Sequence, residues 1–228
     1  IINKPVSQRL VGALSAKSEK PILFENIVEK PGYRVLDILL KHRNLQARAL
    51  GVPEDEYLKT LAYRLRLPPR GFKTIERAPV QEVVITGKDI DLGTLPIFKH
   101  SAEDDPALGT MVFILDPDTG FHNTMHCYTT VTGPRSGNGL FLTPHSVQIL
   151  QKWLDRGEEE MPIAYVVGLP PACEIMANFS GMHMDLWGEA EMFGTILEQD
   201  FETVKCKTID MEVPANAELV LEGVVKLK

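Results

Sequence analysis

The 228-residue sequence predicts an α+β fold: a mixed α/β front part over residues 1–78, then a strand-rich back part over 79–228 with two or three helices. Three observations carry this reading. Apolar residues recur at helical spacing before residue 67, as in Val6, Leu10, Ala13 and Leu14. From about Pro79 the texture changes to short runs of β-formers separated by Gly, Pro, Asn and Asp. The run Met111–Leu115 meets Asp116-Pro117-Asp118-Thr119-Gly120 and a second alternating run carrying His122, Asn123 and His126, which reads as an antiparallel hairpin on a five-residue turn.

In chain order, Val6 to Lys17 is a helix with Val6, Leu10, Ala13 and Leu14 inward. Pro21 to Asn26 is a short buried strand, and Val35 to Leu40 a second apolar run after the turn at Lys30-Pro31-Gly32-Tyr33. Gln46 to Leu50 is a short helix ended by Gly51. Pro53 to Arg66 is a better one, with acidic residues in its first turn and arginines in its last, the order that suits the helix dipole. Leu58, Leu61, Ala62 and Leu65 form its apolar stripe. Strands are expected at Val80–Thr86, Met111–Leu115, Thr124–Thr132 and Leu140–Leu142, with a loop at Gly133–Gly139. Val147 to Arg156 is a helix with Val147, Leu150, Trp153 and Leu154 inward and Gly157 behind it. Pro162 to Val167 is a buried strand, Glu189 to Glu198 is helical, and Val204–Val213 and Glu218–Leu227 are strands joined at Pro214-Ala215-Asn216.

Composition narrows the function classes. An apolar share of 44% with 24% charged residues is that of a globular chain able to bury a sizeable core. The net charge of −7, with no block of Lys or Arg, argues against a nucleic-acid partner. No apolar run is long enough for a transmembrane helix, so membrane insertion is not expected. The cysteines Cys127, Cys173 and Cys206 are odd in number, form no CxxC and sit among apolar residues. They read as reduced thiols of a cytoplasmic protein. The sequence begins without Met, at Ile1-Ile2-Asn3-Lys4-Pro5, and ends on a strand, as expected of a piece of something longer.

No HExxH, nucleophile elbow, Walker loop or GxGxxG is present. Of the six histidines, His42 beside Lys41 and Arg43 reads as solvated, whereas His100, His122, His126, His145 and His183 lie among turns and strands. Asn123, His145 and Glu189 offer an amide oxygen, an imidazole nitrogen and a carboxylate, a donor set suited to Mn²⁺ or Mg²⁺. Spacing alone does not bring them together.

The order of landmarks resembles the UbiD-type decarboxylase family, which uses prenylated FMN. The matching stretches are Pro21–Asn26, His100 with its acidic loop, Asp116–Gly120 followed by Asn123, Thr143-Pro144-His145, Val166-Val167-Gly168, Glu189–Gly194 and Val213–Gly223. The resemblance implies a split β-barrel flavin-binding domain over 79–228, the family's C-terminal α/β domain being absent from these residues. It implies a reversible, non-oxidative decarboxylase of an aromatic or α,β-unsaturated carboxylic acid, releasing CO₂, with the modified flavin as electron sink. The family's metal-binding Asn, His and Glu fall on Asn123, His145 and Glu189. Glu191 is the competitor for the third place, and Glu189 is preferred because it precedes Gly194 by five positions. Thr124, Ser180 and Met182 would join Asn123 and His145 in binding the cofactor, Ser180 and Met182 lying where the family holds phosphate and a monovalent ion, usually K⁺. Glu218 and Glu222 read as alternating structural positions on a strand.

Two departures qualify the resemblance. The Arg of the family's catalytic Glu-Arg-Glu set usually lies five residues after the metal-binding Asn, where this chain has Tyr128. Arg135, in the loop beyond, is the other candidate. The two Glu residues usually follow in an EGP-containing segment that would begin beyond Lys228, so residues 1–228 alone are expected to be inactive. The alternatives are a non-catalytic UbiD-like subunit of a carboxylase complex and a flavin reductase-like barrel. A homo-oligomer or a subunit of such a complex is the expected assembly.

Overall fold

The computed structural model describes residues 1–99, 103, 105–179 and 187–228. In chain order its helices are α1 (Gln8–Ala16), α2 (Arg43–Ala49), α3 (Tyr57–Arg64), α4 (Pro144–Asp155), α5 (Pro171–Ala177) and α6 (Phe193–Leu197). Its strands are β1 (Ile22–Phe24), β2 (Val35–Asp37), β3 (Phe72–Thr74), β4 (Ala107–Leu115), β5 (His122–Gly133), β6 (Ser136–Gly139), β7 (Glu160–Val167), β8 (Phe201–Lys205), β9 (Glu212–Pro214) and β10 (Leu219–Lys226). The α+β class holds. Two compact units interleave along the chain. The smaller is built from Ile1–Leu45, Ile85–Gly109 and Tyr128–Leu140, the larger from Gln46–Val84, Thr110–Cys127 and Phe141–Lys228. Among the described residues no helix is long and apolar enough to cross a membrane.

In the smaller unit β1 and β2 pair antiparallel, and Phe24 and Ile27 are fully buried against Val6 and Val11. The inward face of α1 is Val11 and Ser15, not Leu10, Ala13 and Leu14, all of which are exposed. The cause is the anchoring of the helix start. Ser7 caps α1 and donates to Glu29 Oε1 at 2.5 Å, Gln8 N–H donates to the other oxygen at 2.8 Å, and Val6 bridges to Ile27. Those contacts fix the rotation of the helix before its leucines can choose a side. A second correction lies at residues 133–142. The strand is Ser136–Gly139, within the stretch read as a loop, and Leu140 and Leu142 are exposed. The glycines permit it: a Cβ on Gly137 would sit 2.8 Å from Thr129 Cγ2 and 2.9 Å from the Thr130 carbonyl oxygen. Only a glycine at 137 lets β6 lie that close to β5.

In the larger unit the sheet runs β10-β7-β4-β5. β10 pairs with β7 along its whole length, Leu219 opposite Val167 to Lys226 opposite Glu160. Alternation divides β4 between two cores: Met111 and Phe113 pack toward Phe193, Ile196 and Cys173, while Val112 and Ile114 pack toward Ile149. Residues 110–114 are accordingly all buried. A second sheet, β3-β8-β9, contains the parallel pair Phe72–Thr74 with Phe201–Thr203.

Several predicted elements are redrawn here. Val80–Thr86 is not a strand: Pro79 starts a 3-10 turn, and Val83, Val84 and Ile85 are exposed. Val204–Val213 is not one strand but the two arms β8 and β9, paired antiparallel. Their turn is tied down by Glu222, whose carboxylate accepts from Lys207 N–H at 2.9 Å and from Thr208 N–H and hydroxyl at 2.6 Å. That is a structural role, as read for Glu222. α3 turns Tyr57 and Arg64 inward and leaves Leu58 and Ala62 exposed. α4 likewise buries Ser146 and Ile149, with Val147 and Leu154 exposed.

Arg64 explains the orientation of α3. Its guanidinium donates to the Leu50 carbonyl at 3.1 Å and the Ile196 carbonyl at 2.7 Å, and it pairs with Glu198. Glu198 sits in the left-handed region, φ 56°, at the end of α6. Arg64→Ala strands two buried carbonyls and is expected to cost about 2 kcal/mol. Urea unfolding checks it, and a loss of a few tenths would show the carbonyls find other donors.

Candidate functional site

The site begins with the hairpin β4–β5 and the helix behind it. The turn closes by Gly120 N–H to the Asp116 carbonyl at 2.8 Å and Asp116 N–H to the Phe121 carbonyl at 2.9 Å. Lys152 of α4 holds Asp116 at 2.7 Å and Asp118 at 3.2 Å, Arg156 holds Asp118 at 2.7 Å, and the Trp153 indole N–H donates to the Leu115 carbonyl at 2.9 Å. The Arg156 and Lys152 cations keep the exposed Asp118 carboxyl below its ordinary value. These contacts lay α4 along the hairpin. Thr143 caps the helix through Ser146 N–H and Pro144 takes its first turn, so His145 is presented at the N-terminal end.

Strand alternation then aims Asn123. Met125 and Cys127 pack with Ile149 of α4, so Asn123, two residues before Met125, shares the face turned to that helix. Thr124 and His126 take the opposite face. The third residue, Glu189, stands at the N-cap of the 3-10 turn Ala190–Met192, which leads into α6. Asn123 Nδ2 and Thr124 N–H both donate to Glu189 Oε2, the latter at 3.0 Å, and His145 Nδ1 lies 3.3 Å from Glu189 Oε1. Three residues separated widely in sequence thus meet at one buried carboxylate.

Glu189 is only 3% exposed and Asn123 1%. Burial pushes the Glu189 carboxyl up to about 7, and the nearby Glu191 charge adds to it, against the hydrogen bonds from Thr124 and Asn123 that lower it. Among the described residues no Lys or Arg pairs with this carboxylate. The Asn123 amide has its nitrogen committed to Glu189, and its oxygen Oδ1 is buried with no hydrogen-bond partner among the described residues. A free amide oxygen, an imidazole and an under-compensated carboxylate form an oxygen-rich donor set that fits a hard divalent cation. Among the described residues no group of three His, Cys, Asp or Glu side chains is placed to hold a metal. The set here has two such residues and an amide.

Two cavities adjoin the cluster. One of about 250 Å³ is lined by Asn123, His145, Gly188, Lys152, Asp116 and Phe121 among others. The other, about 100 Å³, is lined by Thr124, His126, Thr143, Ala177, Asn178, Phe179 and Glu189. Thr124 Oγ1 is buried without a partner. His126 is exposed and on the wall of the smaller cavity, whereas His122 is buried. Tyr128 and Arg135 belong to the smaller unit. The Tyr128 ring is half exposed and packs over Gly109, whose added Cβ would lie 3.4 Å from Tyr128 Cε2. Arg135, just before β6, donates to the Gly87 carbonyl at 3.4 Å. His100, Ser180, Met182 and His183 lie outside the described residues.

Residues 73–228 match the family model described as UbiD, 3-octaprenyl-4-hydroxybenzoate carboxy-lyase Rift-related domain. The chain belongs to the UbiD family. With that membership the split β-barrel class of the back part is established. Among curated relatives, an anhydromevalonate phosphate decarboxylase of Methanothermobacter thermautotrophicus is 36% identical over 135 residues, 58% of this chain and 31% of its own length. A pyrrole-2-carboxylic acid decarboxylase of Pseudomonas aeruginosa is 30% identical over 227 residues, 90% of this chain and 44% of its own length. Among solved structures, an evolved dimeric form of the UbiD-class enzyme HmfF from Pelotomaculum thermopropionicum, in complex with prFMN, superposes with a TM-score of 0.87 at 31% identity. It covers 98% of this UbiD-family chain and 53% of its own. The chain thus spans about half, or less, of the length of these relatives.

Glu191 was the competitor for the metal set. One of its carboxylate oxygens, Oε1, accepts from His122 N–H at 2.9 Å and lies 3.2 Å from Nδ1, while Oε2 is buried with no hydrogen-bond partner among the described residues. Sequence reasoning missed that clamp, and also missed α5, whose Pro170-Pro171 start was a legible helix signal.

Proposed function

We propose that the chain is the front and flavin-binding portion, 79–228 carrying the flavin, of a reversible, non-oxidative carboxy-lyase. Its substrate would be an aromatic or α,β-unsaturated carboxylic acid and its cofactor prenylated FMN. The observation that carries this reading is the buried Asn123–His145–Glu189 cluster with its unpartnered amide oxygen, in a member of the UbiD family. Prenylated FMN, when bound, supplies an electron sink for the pair released as CO₂ leaves.

The residues of this chain would bind and orient. Asn123 Oδ1, a His145 ring nitrogen and Glu189 would hold Mn²⁺, or Mg²⁺, beside the cofactor phosphate. A phosphate dianion next to a buried carboxylate requires such a cation. Thr124 Oγ1 and Glu189, on the smaller cavity, suit a monovalent ion such as K⁺, with Ser180 and Met182 as further cofactor contacts. The metal residues would not move the proton. Tyr128 and Arg135 are the candidates from this chain for contact with the reacting acid, Tyr128 at the position of the family's Arg.

A second reading, a non-catalytic UbiD-like subunit of a carboxylase assembly, is favoured by one observation, the Tyr128 side chain where an Arg is expected. One experiment separates the two. The complete protein, purified from a host that makes prenylated FMN, is expected to carry Mn²⁺ and a flavin heavier than FMN, and to release CO₂ from cinnamate- or pyrrole-type acids. Metal and modified flavin without CO₂ release from any of a panel of acids would favour the subunit. Ordinary FMN without metal would favour a reductase-like barrel.

A further inference from the structure

The turn that supplies Glu189 supplies a second carboxylate two residues later. Glu191 is partly buried, with its side chain 12% exposed. Its Oε2 is buried with no hydrogen-bond partner among the described residues. Its Oε1 receives the backbone N–H of His122 at 2.9 Å and lies 3.2 Å from the ring Nδ1 of the same residue. The other ring nitrogen, Nε2, accepts from Glu212 N–H at 3.3 Å on β9. That acceptor role puts the imidazole proton on Nδ1, facing Glu191. The ring is further held edge-on by Phe72, centroids 5.1 Å apart. Every polar group of His122 that these contacts engage is therefore fixed in one orientation.

His122 directly precedes Asn123. The carboxylates of one 3-10 turn thus grip three consecutive residues of β5: Glu191 takes His122, and Glu189 takes the Asn123 side chain and the Thr124 N–H. The grip is tight at Gly188. A Cβ there would lie 2.3 Å from the His122 carbonyl oxygen and 2.6 Å from Glu191 Oε2. The strand and the turn are in direct backbone contact at the residue before Asn123, and no side chain larger than hydrogen fits between them.

We infer that Glu191, acting through His122, is a positioning residue that sets the place of Asn123 Oδ1 in the cation site. The inference rests on the metal-site reading proposed above. Glu191 acts here by the geometry its Oε1 imposes on His122, which is separate from the effect of its charge on Glu189. Outer partners of metal-binding side chains typically change metal affinity by about 10–100-fold when removed.

The test is Mn²⁺ titration of the complete, cofactor-free protein, by calorimetry and by the Mn²⁺ electron paramagnetic resonance spectrum. Asn123→Ala and His145→Ala serve as references for the site. Glu191→Leu is expected to weaken Mn²⁺ binding by about 10-fold or more. Glu191→Gln keeps an acceptor for His122 and is expected to stay within about threefold of the parent. Val11→Ala, which opens a cavity in the separate core formed with Val6, Phe24 and Ile27, controls for lost stability and is expected to leave the affinity unchanged. Hydrogen exchange over Phe121–Met125 is expected to quicken in Glu191→Leu and not in Val11→Ala. Parent-like affinity in Glu191→Leu overturns the inference and leaves the metal site standing. An equal loss in Glu191→Gln and Glu191→Leu also overturns it, because charge would then be what matters. A parent protein that binds no Mn²⁺, or binds it equally after Asn123→Ala and His145→Ala, overturns both readings.

Discussion

His145→Ala in the complete protein is expected to lower Mn²⁺ affinity by about 100-fold or more, and CO₂ release with it. Loss of an outer partner already costs up to about that factor, and His145 would be a direct donor. A 100-fold loss corresponds to about 2.7 kcal/mol. The structure explains why no neighbour substitutes. His145 stands at the capped start of α4, held by Thr143 and Pro144, and α4 is tied to the β4–β5 turn through Lys152, Trp153 and Arg156. Of the next side chains on that face, Ile149 has no donor atom and Gln148, which lines the same cavity, offers only a neutral amide in place of the imidazole. Competition titration with a metal indicator measures the effect. Retained tight binding in His145→Ala would remove His145 from the site and leave Asn123 and Glu189 with another partner.

The hairpin and α4 were legible because their signals are local. Asp116-Pro117-Asp118-Thr119-Gly120 fixes a turn chemically, and Thr143-Pro144 marks a helix start with a capping hydroxyl and a preset φ. What failed was rotation and pairing. The leucines of α1 predicted one inward face, but Ser7, Glu29 and Val6 fix another. That choice depends on partners about twenty residues away, which periodicity does not see. β6 was hidden because Ser136–Gly139 has no side chains of strand type; its pairing rests on how closely bare backbone approaches Thr129 and Thr130.

The site divides in the same way. Asn123, His145 and Glu189 each looked ordinary in place, and their spacing carried no geometry. Only the resemblance grouped them. The structure adds the orientation of the Asn123 amide and the burial of Glu189, which are tertiary facts. For Glu191 a signal did exist. Two carboxylates at alternate positions of a short apolar helical turn are unusual, since each must find a buried donor. Reading that as two jobs, and not as two competitors for one, would have led to His122.

The cation-free protein is expected to lose stability as pH rises from about 4 to 8, and Glu189→Gln is expected to abolish that loss. Glu189 titrates at about 7 in the folded chain against an ordinary 4.5. The folded state therefore holds this proton more tightly than the unfolded chain does. Its stabilising contribution is complete below about 4.5 and disappears as pH climbs through 7. The difference amounts to about 3 kcal/mol by pH 8. A glutamine still accepts from Thr124 N–H but carries no charge at any pH. The stability of the variant relative to the parent should thus increase by that amount over the window, in denaturant unfolding with chelator present. Saturating Mn²⁺ reverses the sign in the parent alone, since a cation favours the carboxylate and binds better as pH rises. A parallel pH dependence in parent and variant would show that the buried Glu189 charge already has a compensating partner. The divalent ion would then no longer be needed to explain why the carboxylate is kept there.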